Sequence, residues 1–457
     1  MPKVIKKPNG RPIVHELKPN AAGIDIGAYE IYVAVPFDRD EESIRSFATF
    51  TGDLKKMAAW LKQCDIDSIA MESTGVYWIP VYQILEEAGF EVYLVNARHV
   101  KNVPGRKTDV VDCQWIQYLH SVGLLRASFR PSADVVAVRT LLRHRESMVK
   151  IAATHIQHMQ KSLTQMNLFL HNVINDITGK TGLMILDAIL AGEHNPEVLA
   201  AYRNKNMKAD EETIAKSLEG DYKTEHLFTL KQALELYRYY KEQIKRCDAE
   251  IEVYLKAFTA NDTDSDEPIN QKSLSEPKQK NKIKKPKGNE YHFNIQSYLS
   301  NILGVDLIAV PGINALTAHT IFTEIGLDIH KFKTRRHFTS WLSLSPNNKV
   351  SGNKILSSKT LSSANRVAKA LRLAAYGVGN SKSYIGDYYR KMRSRLGAPK
   401  AITATAHKLA RIVYVLLTLK VPYDESVFAA EEMKNSERKM KRLNKQAHEL
   451  GLKLVAA

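Results

Sequence analysis

Cysteine is scarce in this chain: three residues in 457, at positions 64, 113 and 247, with no CxxC pair. That spacing excludes a disulfide framework and a thiolate zinc site, and fits a reducing cytosol. Long apolar runs are missing too. None reaches the ~18–20 residues that span a bilayer. The opening MPKVIKKPNG has charge but no hydrophobic segment behind it, so neither a membrane span nor a secretory signal is expected. Acidic charge is in short supply: 49 Asp+Glu stand against 66 Lys+Arg, a net charge of +17. With 44% hydrophobic and 25% charged residues, the balance is that of an ordinary soluble protein, which excludes wholesale disorder. The length suits roughly two to four domains.

The positive charge is concentrated. Residues 1–130 hold 16 basic and 16 acidic side chains, residues 131–298 hold 24 and 23, and residues 299–457 hold 26 and 10. A neutral front and a basic back point to a polyanion met by the C-terminal third. A basic surface kept for solubility is the plainer reading.

Composition and period divide the chain into 1–130, 131–258, 259–298, 299–430 and 431–457. At 22–36, AGIDIGAYEIYVAVP alternates like a strand; Ser43–Thr51 reads as a second strand, and Gly52-Asp53 as a turn into a helix around 54–63. Ser68–Glu72 reads as a buried strand, 76–88 as a helix, Glu91–Asn96 as a strand and 108–122 as a helix. Together they predict an α/β domain with a mixed sheet. From Val149 through Ile156, Leu163 and Leu170 to Ile177, apolar residues keep a 3-4 spacing. A second such series runs from Leu227 to Phe258, interrupted at Lys241 and Asp248. These heptads predict a helical coiled-coil arm or, equally, the core face of a bundle. Residues 259–290 contain almost nothing apolar and change from acidic to basic, the composition of a flexible linker or insertion. Helices are then expected over 297–309, 314–326, 337–343, 362–377, 382–395 and 399–420, a mainly α domain, before a charged helical tail from 431.

Four acids stand where acids are otherwise costly. Asp25 lies inside the first strand between isoleucines, and Glu72 ends the buried strand. Asp109 and Asp112 are three residues apart, so on a helix they share a face. A carboxylate at a buried strand end calls for a cation or a donor. Two strand acids and two helix acids could converge on a pair of divalent ions, and hard oxygen ligands favour Mg²⁺ or Mn²⁺. Taken singly, Asp25 could cap a turn and Asp109 could serve a helix N-terminus. The GIDIG segment also fits the phosphate turn of actin-like ATPases and sugar kinases, but the second glycine-rich turn of those folds is missing between 130 and 310.

In the basic third, LIAVPGINALTAHTIFTEIG at 307–326 has the form helix, Pro-Gly turn, helix. Around Pro311 and Gly312 it resembles a helix-hairpin-helix, whose amides hold nucleic-acid phosphate. Beyond it, Lys333, Arg335, Arg336, Lys349, Lys354, Lys359, Arg366 and Arg372 surround many hydroxyls. Arg390, Lys391, Arg393, Arg395, Lys408 and Arg411 follow on two basic helices, with Tyr388 and Tyr389 beside them. Such mixtures suit backbone binding with base stacking. Ser351, with Gly352 behind it, reads as an exposed loop hydroxyl that a phosphate could reach.

GIDIG, ESTGVYW, KTDVVDCQW, PGINALTAHTIFTEIG, the Ser351-Gly352 pair and LGAPKAITATAHKLARIVY, in that order, resemble the DEDD transposases of insertion sequences whose recombinase is guided by a bridge RNA. The resemblance covers nearly the entire chain. It implies a RuvC-like, ribonuclease H-type nuclease domain in front and a serine-bearing transposase domain behind. It implies Asp25, Glu72, Asp109 and Asp112 as a DEDD set holding Mg²⁺, and Ser351, rather than Ser343, Ser345 or Ser357, as a nucleophile forming a phosphoserine link to DNA. It further implies donor and target DNA and a noncoding guide RNA as partners, a homodimer or homotetramer, no membrane, and a cytoplasmic, nucleoid-associated protein. Two rivals remain: a hydrolytic two-metal nuclease or junction resolvase, and a non-catalytic nucleic-acid-binding scaffold.

Overall fold

The computed structural model describes residues 16–73, 75–96, 109–261 and 288–428, with scattered positions between 433 and 451. Most of the expected insertion and charged tail therefore lies outside the described residues. The chain forms two compact units, residues 1–130 and 131–457.

The first unit is built on five strands: β1 (Ala21–Ile26), β2 (Glu30–Ala34), β3 (Ile44–Ala48), β4 (Ser68–Glu72) and β5 (Glu91–Val95). Their order is β3-β2-β1-β4-β5. β2 runs antiparallel to β1 and β3, while β1, β4 and β5 run parallel. The long alternating stretch from residue 22 is thus a hairpin rather than one strand; Gly27 donates its amide to the Glu30 carbonyl at 2.9 Å and closes the turn. Helix α1 (Thr51–Gln63) takes Gly52 and Asp53 into its first turn instead of leaving them as a turn before it. Helix α2 covers Trp78–Glu87 and α3 covers Asp109–Ser121.

Strand alternation sorts the two faces. Ala22, Ile24, Ile26, Ile69 and Met71 pack with Leu54, Met57 and Leu61 of α1 and Val81 and Leu85 of α2. On the other face, Ala70 and Val95 pack with Ile116 and Leu119 of α3. Small side chains there let α3 lie close. At the starts of β4 and β5, the Ser68 hydroxyl bonds His120 Nε2 at 2.8 Å and donates to Glu91 at 3.1 Å, while Lys18 reaches both residues.

The second unit opens with α4 (Ala133–Gln165), then α5 (Leu170–Val173), α6 (Lys180–Leu190), α7 (Pro196–Ala200), α8 (Glu211–Lys216) and α9 (Thr224–Asn261). The heptad series through residue 177 is not one helix: the chain turns at Met166 and Asn167, the latter at φ 57°. Its apolar residues keep to one core across the break: Met166, Leu170 and Ile177 are buried with Ile185, Leu199 and Leu230, Val173 is partly buried against them, and Ile174, outside the series, is buried there too. The long helices α4 and α9 pair antiparallel within the chain. Ser162 meets Thr229 at 3.0 Å, His155 stacks on Tyr240, and the buried Arg145 pairs with buried Asp248.

The rest is mainly helical: α10 (Ile295–Leu303), α11 (Ala315–Ile325), α12 (Arg335–Trp341), α13 (Arg366–Gly377), α14 (Tyr384–Leu396) and α15 (Ala398–Leu419), with a hairpin of β6 (Lys349–Ser351) and β7 (Lys354–Ser357). The helix expected over 297–309 ends at Gly304, which sits at φ 64°, and only one 3-10 turn, Leu307–Ala309, precedes the Pro-Gly turn. Among the described residues α15 alone is long and apolar enough to cross a membrane by length and composition, against the expectation that no such run exists. It buries Ala401, Thr405, Leu409, Val413 and Leu416 and packs on α12, α13 and α14, as a core helix does.

Candidate active site

Asp25 and Glu72 come together through strand register. β1 and β4 are parallel, with Ile24 opposite Met71, so the next residues, Asp25 and Glu72, stand side by side at neighbouring strand ends. Parallel strands lie ~4.8 Å apart and residues in register share a face. Both carboxylates are half-buried on the α3 side.

Gly23 sets how close α3 comes. A Cβ placed on it would stand 2.2 Å from the Gln117 nitrogen and 2.3 Å from the Cys113 carbonyl oxygen. Only a residue without a side chain permits that crossing. Gln117 also donates to the Ala21 carbonyl at 3.2 Å. The crossing brings the half-buried Asp112 to the same region. Buried Cys113 senses both acids: burial foremost, then Asp25 and Asp112 beside it, push its thiol up to about 12. Asp109 is the first residue of α3, and its side chain lies outside the described residues. Among the described residues no three His, Cys, Asp or Glu side chains are drawn into a group that could hold a metal ion. The donors are nonetheless all carboxylate oxygens, the set that suits a hard divalent cation.

In the second unit Ser351 ends β6 and pairs with Lys354 across the hairpin. It is not on a loop as expected. Gly352 and Asn353, at φ 50° and 58°, form a two-residue turn of the type that closes hairpins. The turn itself therefore accounts for the glycine behind Ser351. The serine is exposed, as are Lys349, Lys354 and Lys359.

The other basic residues divide. Lys333, Arg335, Arg336, Lys391, Arg393, Arg395 and Arg411 are exposed, and Arg372 is half-buried. Arg366 is held by Glu146 and Glu324. Arg390 donates to the Gly379 and Ser381 carbonyls at 2.8 and 2.7 Å and pairs with Asp387. Lys408 sits over the rings of Tyr384, Tyr388 and Phe428. Tyr389 is buried rather than offered to a base. Gly312, at φ 90°, packs against the Ala374 carbonyl, and α11 behind it is capped by the chain's own Asn314 side chain.

The sequence reading missed the buried pair Arg145 and Asp248 and the more exposed His292 that joins it. Arg145 donates to the Asn289 and Glu290 carbonyls at 3.0 and 3.2 Å, and His292 Nδ1 lies 2.6 Å from Asp248. Lys241 holds the Gly288 carbonyl at 2.8 Å. The two interruptions in the second heptad series are thus the anchors of the segment that returns after residue 287.

A family model described as Transposase, for the DEDD type of IS110, matches residues 22–168. A second, described as Transposase IS116/IS110/IS902 family, matches residues 306–390. The transposase for insertion sequence element IS1111A of Coxiella burnetii (strain RSA 493 / Nine Mile phase I) is 28% identical over 120 residues, 25% of this chain and 33% of that protein. The chain thus spans about a third of the length of this curated relative. The first family match contains Asp25, Glu72, Asp109 and Asp112, the second contains Ser351, and the chain belongs to the IS110 family of DEDD insertion-sequence transposases.

Proposed function

We propose that this chain cuts and rejoins DNA as the transposase of an insertion sequence, with Ser351 as nucleophile and the acids of the first unit as its electrostatic partner. The observation that carries the reading is the pair Asp25 and Glu72, side by side at parallel strand ends under the helix that bears Asp109 and Asp112. The strand order, with β2 antiparallel to its neighbours, supports a ribonuclease H-type nuclease domain.

In this reading Asp25, Glu72, Asp109 and Asp112 would hold Mg²⁺ or Mn²⁺. Bound there, the metal would polarise a phosphodiester and stabilise the leaving oxygen. The serine hydroxyl attacks phosphorus, its oxygen forms the new ester, and the leaving strand departs as a 3′-hydroxyl. Lys349 and Lys354 flank that hydroxyl on the hairpin and attract the phosphate to it. The exposed basic residues of the second unit bind donor and target DNA and a noncoding guide RNA through the backbone. A homodimer or homotetramer, held partly by the α4–α9 arm, works at the nucleoid in the cytoplasm.

Asp25→Asn and Ser351→Ala should each lower strand cleavage of a donor carrying the element's ends at least about a hundredfold. Both should keep nucleic-acid affinity within about twofold, since the binding charge lies elsewhere. Cleavage at the wild-type rate by either variant would refute the assignment of that residue. A hydrolytic nuclease is the second reading: the turn accounts for Gly352 without any catalytic serine, and such an enzyme would lose activity in Asp25→Asn alone.

A further inference from the structure

The β6–β7 hairpin is a sheet of two strands only. Ribbons of this kind are marginal in water unless something covers them. Yet Val350, Ile355 and Leu356 on it are 60%, 63% and 69% exposed. Val350 pairs with Ile355 across the strands, and Ser351 pairs with Lys354. The pairs Val350–Ile355 and Ser351–Lys354 therefore stand on opposite faces of the ribbon, and the register shifts between Lys349 and Val350, where Leu356 is the extra residue on β7. The Pro346–Thr360 bridge extends the arm toward its base.

Along the chain on either side of the ribbon, between Asp328 and Asp387, there is no acidic residue and there are eleven Lys and Arg, of which Arg366 is paired with Glu146 and Glu324. An apolar patch in such a field fits a polyanion with apolar surface inside it, which is the description of a nucleic-acid groove.

We propose that the hairpin is a DNA-deforming arm that enters the minor groove. This rests on the reading above that the chain acts on DNA. Val350 and Ile355 press on the base edges and part a base step, as apolar wedges do in proteins that kink DNA. Lys349 and Lys354 have stems long enough to bend round the ribbon edges, so their ammonium groups reach the phosphates on either side.

The test uses the full-length chain and a mixed-sequence DNA duplex in which several adenines are replaced by 2-aminopurine, whose fluorescence rises when it unstacks. Wild type should raise the fluorescence at saturation. A Val350→Ser, Ile355→Ser double variant should lose most of that rise while anisotropy gives an affinity within about threefold of wild type. A Lys349→Gln, Lys354→Gln variant should bind more weakly, its salt dependence shallower by about 1.8 in log–log slope, two phosphate contacts at ~0.9 each. No rise with wild type, or a full rise with the serine variant, would overturn the proposal. So would a serine variant whose main change is a smaller assembly in sedimentation, because a second copy of the chain would then be the occupant. The readout needs no strand cleavage: a chain that unstacks bases without ever cutting DNA would refute the proposed reaction and leave this inference standing.

Discussion

Gly23 in the first unit and Arg145 in the second each hold a contact that a single substitution should break. Gly23→Ala sets a methyl 2.2 Å from the Gln117 nitrogen, and neither backbone can yield without moving α3. The variant should lose about 1–3 kcal/mol in urea unfolding and displace Asp112 from Asp25 and Glu72; wild-type stability would contradict the close crossing. Arg145→Ala leaves Asp248, fully buried, with His292 as its remaining ionisable partner, a loss of about 3–5 kcal/mol. Replacing both, as Arg145→Met with Asp248→Leu, leaves no stranded buried carboxylate but takes these partners from the Asn289 and Glu290 carbonyls and from His292, so it should recover only part of the loss. The four acids were legible in the sequence as acids out of place. What each neighbour does was not. Gly23 belongs to a motif that also reads as a phosphate turn, and its true constraint is a helix ninety residues later in the chain. Asp248 and Lys241 read as flaws in a heptad because their partners lie beyond an insertion of no readable pattern.

At the scale of elements, helices were easier to read than ribbons. Since amphipathic period is local, the helices of the last third were expected within a few residues, except that the one expected over 297–309 ends at Leu303. The hairpins β1–β2 and β6–β7 were not, because a tight turn is set by one or two residues inside an otherwise strand-like or polar stretch. Packing between elements also sets a pH response. His120 of α3 is buried against Ser68 at the start of β4 and Tyr93 of β5. Burial, then Lys18 nearby, lowers it from 6.5 to about 4. The folded chain thus keeps it neutral while the unfolded chain takes a proton below about pH 6.5. Stability is full above that value and falls as the pH drops toward 4, by about 2 kcal/mol at pH 5. Urea unfolding at pH 7 and pH 5 checks this: His120→Gln should show a drop smaller by that amount, and equal drops would contradict the burial.

Over the whole molecule, charge and chemistry are divided between the units. The first, residues 1–130, is electrically neutral and carries the four acids; the excess of basic over acidic residues lies in the second, with Ser351. In the proposed reaction a serine hydroxyl, a weak nucleophile at neutral pH, needs a polarised phosphate or a base, whereas a hydrolytic reaction at the acids would use water as attacking group. The two proposals therefore differ in whether DNA becomes covalently linked to the protein. The direct measurement is to stop the reaction of the full chain with donor DNA in denaturant, digest it, and map the DNA-linked peptide by mass spectrometry. The account predicts a phosphodiester adduct on Ser351, absent in Ser351→Ala and lost with Asp25→Asn. An adduct on Ser343, Ser345 or Ser357, or robust cleavage by Ser351→Ala with no adduct at all, would contradict it.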